Sequence, residues 1–343
     1  MKYLKVINIL PISFFIFALL ALPAMAATHT MTGNIYTDWG VDLNKAYNGD
    51  YTGWIPASKS ADWVIENNIY SPLINQYSGA YPDWTGYRST GFHMQKNGLM
   101  KDPEEFKEKA MMSGTYLSPS GGEPYDIEAL YFDNDKNNMY IAIVTSMNQS
   151  GYTETSPWDN YKGICYRRYT EAGDIAIDLD NSSSGSQEYE YGVIIHNDTT
   201  PSDSDKTFYG HLIYKPKWTL PQSSDGFLEN APSDCDKFTY SADKGPISLN
   251  YTKLNINEKV DYGTKGTRDV PKYLIEVSIP RNKIGNPPDE TLSNIHITIG
   301  CGNDVVELEP VRFKTDIPEF PSIALPVAAI MGVMFIFGRR NKE

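Results

Sequence analysis

The chain has few of the residues from which common catalytic and metal centres are built. Of its 343 residues, only three are cysteine and five are histidine. The cysteines, Cys165, Cys235 and Cys301, form no C-x-x-C pair, which excludes a zinc knuckle and a haem attachment site, and their disulfide pairing stays open. No His-Glu-x-x-His motif, Gly-x-Ser-x-Gly elbow, phosphate-binding loop or dinucleotide fingerprint occurs. The sequence therefore predicts a protein that is not an enzyme. An extracellular hydrolase is a weaker alternative, because acidic pairs such as Glu188 and Glu190 are common.

Basic residues are also scarce. The chain has 30 Lys and Arg against 43 Asp and Glu, for a net charge of −13. Residues 27–316 alone carry 25 basic and 41 acidic side chains, which is close to −16. A surface of this sign repels the phosphate backbone, so we expect no nucleic-acid partner. The same surface would attract divalent cations.

Long apolar runs occur only at the two ends of the chain. A short basic opening precedes residues 6–22, which are almost wholly apolar, and Ala24-Met25-Ala26 has the small-x-small form of a signal-peptidase site. These features predict a signal peptide over residues 1–26, cleaved between Ala26 and Ala27. A second membrane anchor is the alternative.

The last 27 residues, 317–343, contain the second apolar run. No charged side chain occurs from 320 to 338, and about 1.5 Å of rise per residue makes this a helix of roughly 28 Å, close to the thickness of a bilayer core. Arg339, Arg340 and Lys342 follow it, and basic residues favour the cytoplasmic side. The sequence predicts a transmembrane helix over about 320–338, a cytoplasmic C-terminus before processing, and an extracellular domain over residues 27–316.

The motif at the start of this tail is informative. Pro318-Glu319-Phe320-Pro321, an apolar span and terminal Arg339-Arg340 resemble the PEF-CTERM sorting signal of archaeal surface proteins. The resemblance implies recognition by an archaeosortase-type membrane enzyme, cleavage near the motif and transfer of the new end to a lipid. An ordinary single-pass anchor is the alternative. Both interpretations predict a membrane-anchored protein of the cell surface.

The segment between the two ends has the composition of a β protein. It belongs to a chain with 24 Tyr, 26 Gly and 22 Pro, which favours strands joined by turns. Residues 125–132 and 139–144 flank an Asn- and Asp-rich turn and predict a hairpin. Further strands are predicted at 62–66, 173–179, 189–195, 208–214, 248–254, 273–279, 295–300 and 305–313. Residues 32–41 predict a strand running into a turn, and 102–112 a short helix.

Many short strands with few helices favour a large antiparallel β-sandwich with long loops, as one domain or as two smaller ones. The turn at Asp133 and the strand after it resemble the hairpin of DOMON-like sandwiches, a group that includes family-nine carbohydrate-binding modules. Residues 274–280 are similar to the Glu-Val-x-Ile-Pro strand of that group, and 294–304 to the closing strand of exported proteins with PEP-CTERM-type tails. The resemblance implies the fold but identifies no ligand.

Two acidic turns are candidate Ca²⁺ sites. Asp133, Asp135 and Asn137 alternate in one turn, and Asp178 and Asp180 in another, as oxygen ligands do at the start of a calcium loop. Neither turn has the glycine and glutamate that complete an EF-hand. Ordinary hairpin turns are the alternative, so Ca²⁺ is a hypothesis and no other cofactor is predicted.

Aromatic residues near the mature N-terminus suggest a glycan-binding surface. Trp39, Trp54 and Trp84 offer flat faces on which sugar rings could stack, although such residues also fill sandwich cores. Four Asn-x-Ser/Thr sequons are candidate glycosylation sites on an exported chain, at Asn148, Asn181, Asn197 and Asn250.

Together these features predict a structural or adhesive protein of the archaeal envelope, with other envelope proteins or cell-surface glycans as partners. An extracellular carbohydrate-binding module is the alternative.

Overall fold

The computed structural model describes most of the segment between the two ends. It covers residues 29–67, 70–72, 87–89, 92–96, 126–155, 167–179, 189–195, 208–219, 234–235, 243–261, 267–300 and 304–314. Contacts divide the chain into one unit of His29–Phe313 and another of Met1–Thr28 with Lys314–Glu343. The predicted signal peptide, sorting tail and helix 102–112 lie outside the described residues. No helix within the described ranges is long and apolar enough to cross a membrane.

The helices of the described residues are short and lie mostly at the N-terminal side. They are α1 (Ile35–Trp39), α2 (Leu43–Tyr47) and the 3₁₀ turns Tyr51–Trp54 and Arg281–Ile284.

The prediction of a strand over 32–41 was wrong, because helix α1 occupies this segment. The side chain of Asn34 caps the helix by accepting from Tyr36 N at 3.1 Å and Thr37 N at 3.4 Å. Gly40 ends it with a left-handed φ of 73°. Local caps thus outweigh the strand propensity of Ile, Tyr, Thr and Trp.

The strands are antiparallel throughout the described pairings. They are β1 (Asp62–Asn67), β2 (Tyr70–Pro72), β3 (Tyr87–Ser89), β4 (Phe92–Gln95), β5 (Ile127–Asn134), β6 (Asn138–Thr145), β7 (Tyr152–Thr155), β8 (Arg167–Thr170), β9 (Ile175–Asp178), β10 (Tyr191–Val193), β11 (His211–Tyr214), β12 (Trp218–Thr219), β13 (Asp234–Cys235), β14 (Asp243–Pro246), β15 (Ser248–Asp261), β16 (Thr267–Pro280), β17 (Leu292–Thr298) and β18 (Val305–Arg312). The prediction of a mainly β chain with antiparallel sheets is confirmed.

The described strands form two six-stranded sheets. The first has the order β15-β16-β6-β5-β1-β4 and the second the order β14-β11-β10-β9-β17-β18. Three two-stranded pairs, β2–β3, β7–β8 and β12–β13, accompany them. The predicted hairpin is present as β5 and β6, which pair through Asn134 and Met139 at the turn.

Both faces of the first sheet are buried at its centre. On β6, Met139, Ile141 and Ile143 point into a core shared with the second sheet. The alternate residues Ala142 and Val144 point into a second apolar cluster, formed with the N-terminal helices. Since successive strand residues face opposite sides, this double burial explains the unbroken apolar run of β6.

Candidate functional site

The turn between β5 and β6 holds the first predicted calcium triplet, and its oxygens accept hydrogen bonds from the protein itself. Oδ1 of Asp135 accepts from the backbone N–H groups of Asn137 and Asn138, both at 2.7 Å. Oδ2 of Asp135 accepts from the Tyr140 hydroxyl at 2.7 Å. Burial, and then the hydrogen bond to Asp135, raises the pKa of Tyr140 to about 12. This is the geometry of an Asx turn that a tyrosine completes.

Asp133 lies beside this turn in a buried ion pair. Its Oδ2 accepts from Ser58 Oγ at 2.7 Å and Ser60 Oγ at 3.0 Å, and lies 2.9 Å from Nε2 of His29. Burial opposes ionisation of Asp133, but the hydrogen bonds and the His29 charge outweigh it and lower its pKa. Burial also opposes the charge on His29, yet Asp133 raises the pKa of that imidazole. Both shifts favour the charged forms, His29 as imidazolium and Asp133 as carboxylate.

This arrangement favours ordinary acidic turns over a calcium loop. A cation at the first triplet would have to displace N–H and O–H donors that already point at the oxygens of Asp133 and Asp135. In the second predicted calcium turn, Asp178 is buried in β9 of the other sheet, and Asp180 lies outside the described residues. In the described ranges, no group of three or more His, Cys, Asp or Glu side chains is placed to hold a metal ion.

A second acidic pair adjoins His29, and sequence reasoning missed it. Nδ1 of His29 lies 2.9 Å from the backbone oxygen of Asp38 on α1. The Asp38 carboxylate accepts from the hydroxyl of Thr30 and, at 2.8 Å, from both the backbone N–H and the hydroxyl of Thr32. These bonds outweigh burial and lower the pKa of Asp38. Burial, and then the Asp38 charge, raises the pKa of Glu276 on β16 to about 7.

Glu276 is nearly inaccessible, at 1% exposure, and its Oε2 accepts from Gly33 N at 3.0 Å. The His29 network, defined as His29, Asp38, Asp133 and Glu276, therefore joins the N-terminal segment to strands β5 and β16. Asp133 lies 104 positions from His29, and Glu276 lies 243 positions from its partner Gly33, so no local motif marks the network.

Two of the three predicted stacking tryptophans are core residues. Trp39 is 3% exposed and Trp54 is fully buried. Trp39 packs on His29, with ring centroids 4.2 Å apart, and Trp54 meets Tyr47 edge-on at 5.1 Å. Their faces are covered by protein, which corrects the expectation of a sugar platform at Trp39 and Trp54 and favours the core-filling alternative. Trp84 lies outside the described residues.

An open groove of about 480 Å³ lies elsewhere on the first sheet. It is lined by Asn148, Gln149, Ser150, Tyr251, Lys253 and Tyr273. The Tyr251 and Tyr273 rings lie 6.3 Å apart at 77°, and both side chains are half-buried. The hydroxyl of Tyr251 donates to Met147 O at 2.8 Å. The groove thus combines two aromatic rings with amide and ammonium groups.

The two described sequons differ in their backbone. At Asn148, which lies in a turn after β6, the Ser150 hydroxyl donates to Asn148 Oδ1 at 2.7 Å. At Asn250 the Thr252 hydroxyl makes the same bond at 2.7 Å, but Asn250 is within β15 and pairs with Glu276 of β16. Asn181 and Asn197 lie outside the described residues.

Comparison with known proteins identifies the C-terminal segment. Residues 317–341 match the PEF-CTERM archaeal protein sorting domain. This match supports an exported, membrane-associated protein of the cell surface with a C-terminal sorting signal. No curated protein matches the chain.

Proposed function

We propose that the chain is a non-enzymatic protein displayed at the surface of an archaeal cell. Its signal peptide directs export, an archaeosortase-type enzyme processes the tail at Pro318-Glu319-Phe320, and a β-sandwich ectodomain of DOMON-like type serves envelope structure or adhesion. The observation that carries the proposal is the sorting-domain match over residues 317–341. The two packed antiparallel sheets agree with a sandwich.

The His29 network supports a structural role over a catalytic one. Ser58, His29 and Asp133 are the residue types of a hydrolytic triad, but their connections differ from one. The serine donates to Asp133 and not to the imidazole, and both nitrogens of His29 face protein oxygens. A serine nucleophile needs a neighbouring base to take its proton, and here the imidazole is committed elsewhere.

The test is the mass of the C-terminal peptide of the full chain, expressed in an archaeal host and recovered from membranes. We expect residues after the Pro318-Glu319-Phe320 motif to be absent. A variant with these three residues changed to alanine should keep the intact tail, and a variant with Arg312→Gln, outside the tail, should be processed normally. An intact native tail, or equal processing of the motif variant, would contradict sorting-enzyme recognition.

Glycan binding is the second candidate, and the tyrosine-lined groove favours it. Aromatic rings beside amide and ammonium donors suit the apolar face and the hydroxyl groups of a sugar. We expect the detergent-solubilised protein to bind to immobilised glycans on an array, and we expect Tyr273→Ala to reduce that binding. Tyr36→Ala is the matched control, because Tyr36 is 62% exposed and not part of the groove lining. If the protein bound no glycan, or if Tyr273→Ala left the binding unchanged, glycan binding by this groove would be excluded.

A further inference from the structure

A completely buried lysine lies between two glutamates in the first sheet, at the level where β5 begins and β6 ends. The side chains of Lys272 and Glu128 both have 0% exposure, and Lys272 Nζ contacts Glu128 Oε1 directly. The same nitrogen lies 2.7 Å from Glu258 Oε2 and donates to Ser146 Oγ at 2.8 Å. Tyr47 of α2 covers it, with Nζ 5.4 Å from the ring centroid. We call these residues the Lys272 cluster.

Irregular strand pairing brings the cluster together. Glu128 lies on β5 where the register with β6 shifts, between Ile127 and Ala129. Lys272 lies on β16 opposite the register shift of β15, between Lys253 and Asn257. Such irregularities re-aim side chains. They bring an amine and a carboxyl group together across the intervening strand β6.

Charges in this place are costly. Burying an isolated ammonium or carboxylate costs far more than burying a neutral group, and a close pair repays this only in part. Burial together with the Glu128 charge already raises the pKa of neighbouring Tyr131 well above its usual value. Moving the proton of Lys272 to Glu128 neutralises both groups, and leaves an amine directly beside a carboxylic acid.

We propose that Lys272 and Glu128 are joined by an intramolecular amide bond. The lone pair of neutral Nζ attacks Cδ of protonated Glu128 while Glu258 accepts a proton from Nζ. Glu258 then delivers this proton to the departing hydroxyl group, so that the Cδ–O bond breaks and one water leaves. The amide nitrogen keeps one hydrogen, Glu258 returns to its starting state, and no oxidant, reductant or co-reactant is consumed.

The buried contact between the two groups supplies what this condensation needs. Holding the reacting groups in contact corresponds to effective molarities of roughly 10⁵–10⁸ M in favourable cases. Expelling the released water from a fully buried site opposes hydrolysis. The product is neutral, so the two most deeply buried charges of the cluster disappear.

The bond would fasten β5 to β16 across β6, between residues separated by 144 positions in the chain. Because the bond would close a long loop of the chain, it would restrict the unfolded state in the way that a long-range disulfide does. It needs no cysteine and is insensitive to reductants.

Peptide mapping of the full chain, denatured and digested with trypsin, tests the proposal. Unmodified protein would yield residues 110–136, which include Glu128, and separate peptides 269–272 and 273–281, because trypsin cleaves after free Lys272. We expect instead one joined species, made of 110–136 and uncleaved 269–281 and lighter by one water. Finding only the linear peptides would overturn the proposal.

Variants separate the bond from a plain ion pair. Glu128→Ala and Lys272→Met should abolish the joined species, whereas Glu128→Gln should yield a joined species of the same mass by losing ammonia in place of water. Glu258→Gln should slow its formation roughly 10²-fold, as expected for loss of a general base. The partly exposed pair of Lys96 and Asp62, 3.0 Å apart, is the matched control and should give no joined peptide. A joined species that persists in Glu128→Ala would refute the assignment.

Discussion

Replacing Glu276 with glutamine should stabilise the protein only at neutral and alkaline pH. The side chain is buried beside Asp38, and its pKa is raised from 4.5 to about 7. The folded state therefore prefers the protonated acid. This preference contributes fully to stability below the unfolded-state value of 4.5 and is lost as pH rises through about 7.

The size of the effect follows from the shift. A change from 4.5 to about 7 corresponds to about 3 kcal/mol, at 1.36 kcal/mol per pH unit. Glutamine keeps the shape, its amide oxygen can still accept from Gly33 N, and its amide N–H faces Asp38. We expect Glu276→Gln to match the native protein within about 1 kcal/mol near pH 5 and to exceed it by about 3 kcal/mol near pH 8.

The assay is denaturant unfolding of the detergent-solubilised protein at both pH values, followed by tryptophan fluorescence. Trp39, the last residue of α1, and Trp54 are buried in the apolar cluster that the N-terminal helices form with the first sheet, and both should report the transition. Glu290→Gln is the control, because Glu290 is exposed and paired with Arg312 at the surface. Equal gains at both pH values, or a loss of stability near pH 8, would refute the proposed protonation of Glu276.

Three further predictions concern other residues. His29→Gln should destabilise the fold by about 3 kcal/mol below the ordinary histidine pKa of 6.5 and by less in alkaline solution. The stabilisation that accompanies the raised pKa of His29 is present at low pH and is lost as pH rises through the folded-state pKa, whereas the stabilisation that accompanies the lowered pKa of Asp133 is present above pH 3.8. Unfolding at about pH 5.5, where both contributions are present, and at about pH 9 tests this prediction. Gly40→Ala should lower the melting temperature, since φ is 73° and a Cβ there would lie 2.3 Å from a neighbouring methyl carbon. Glycopeptide mass spectrometry should find Asn148 modified and Asn250 unmodified, because only the former lies in a turn; the reverse pattern would contradict this reasoning.

Much of the strand content was predictable because it depends on local pattern. The β5–β6 hairpin follows from apolar strands around an Asn- and Asp-rich turn, and it formed at the expected place. The long strands were underestimated: β15 and β16 each have 14 residues, where 248–254 and 273–279 were predicted. Pro271 lies before the predicted start of the second strand, yet β16 includes it, paired with Asn257 next to a register shift.

The sites were less predictable because they depend on contacts between distant residues. Asp133 was singled out for its turn, but its partner His29 is 104 positions away. Lys272 was not among the predicted sites, since its partners Glu128 and Glu258 come from two other strands. Trp39 and Trp54 were proposed as stacking residues but lie in the core, because only packing decides whether a ring faces a ligand or the protein interior.

The packing of Phe313, directly after the edge strand β18, affects how an anchored protein would resist a pulling force. Strand β18 lies at the edge of its sheet and leads, through Phe313, toward the tail. Phe313 is fully buried, with its ring 5.4 Å from that of Phe132, and its N–H donates to Thr291 O at 3.0 Å. Its carbonyl accepts from Glu290 N at 2.7 Å. A force applied to the chain after Phe313 would therefore have to extract this buried ring and break its two backbone hydrogen bonds before it could separate β18 from the sheet. Phe313 would thus protect the edge strand from force transmitted through the tail.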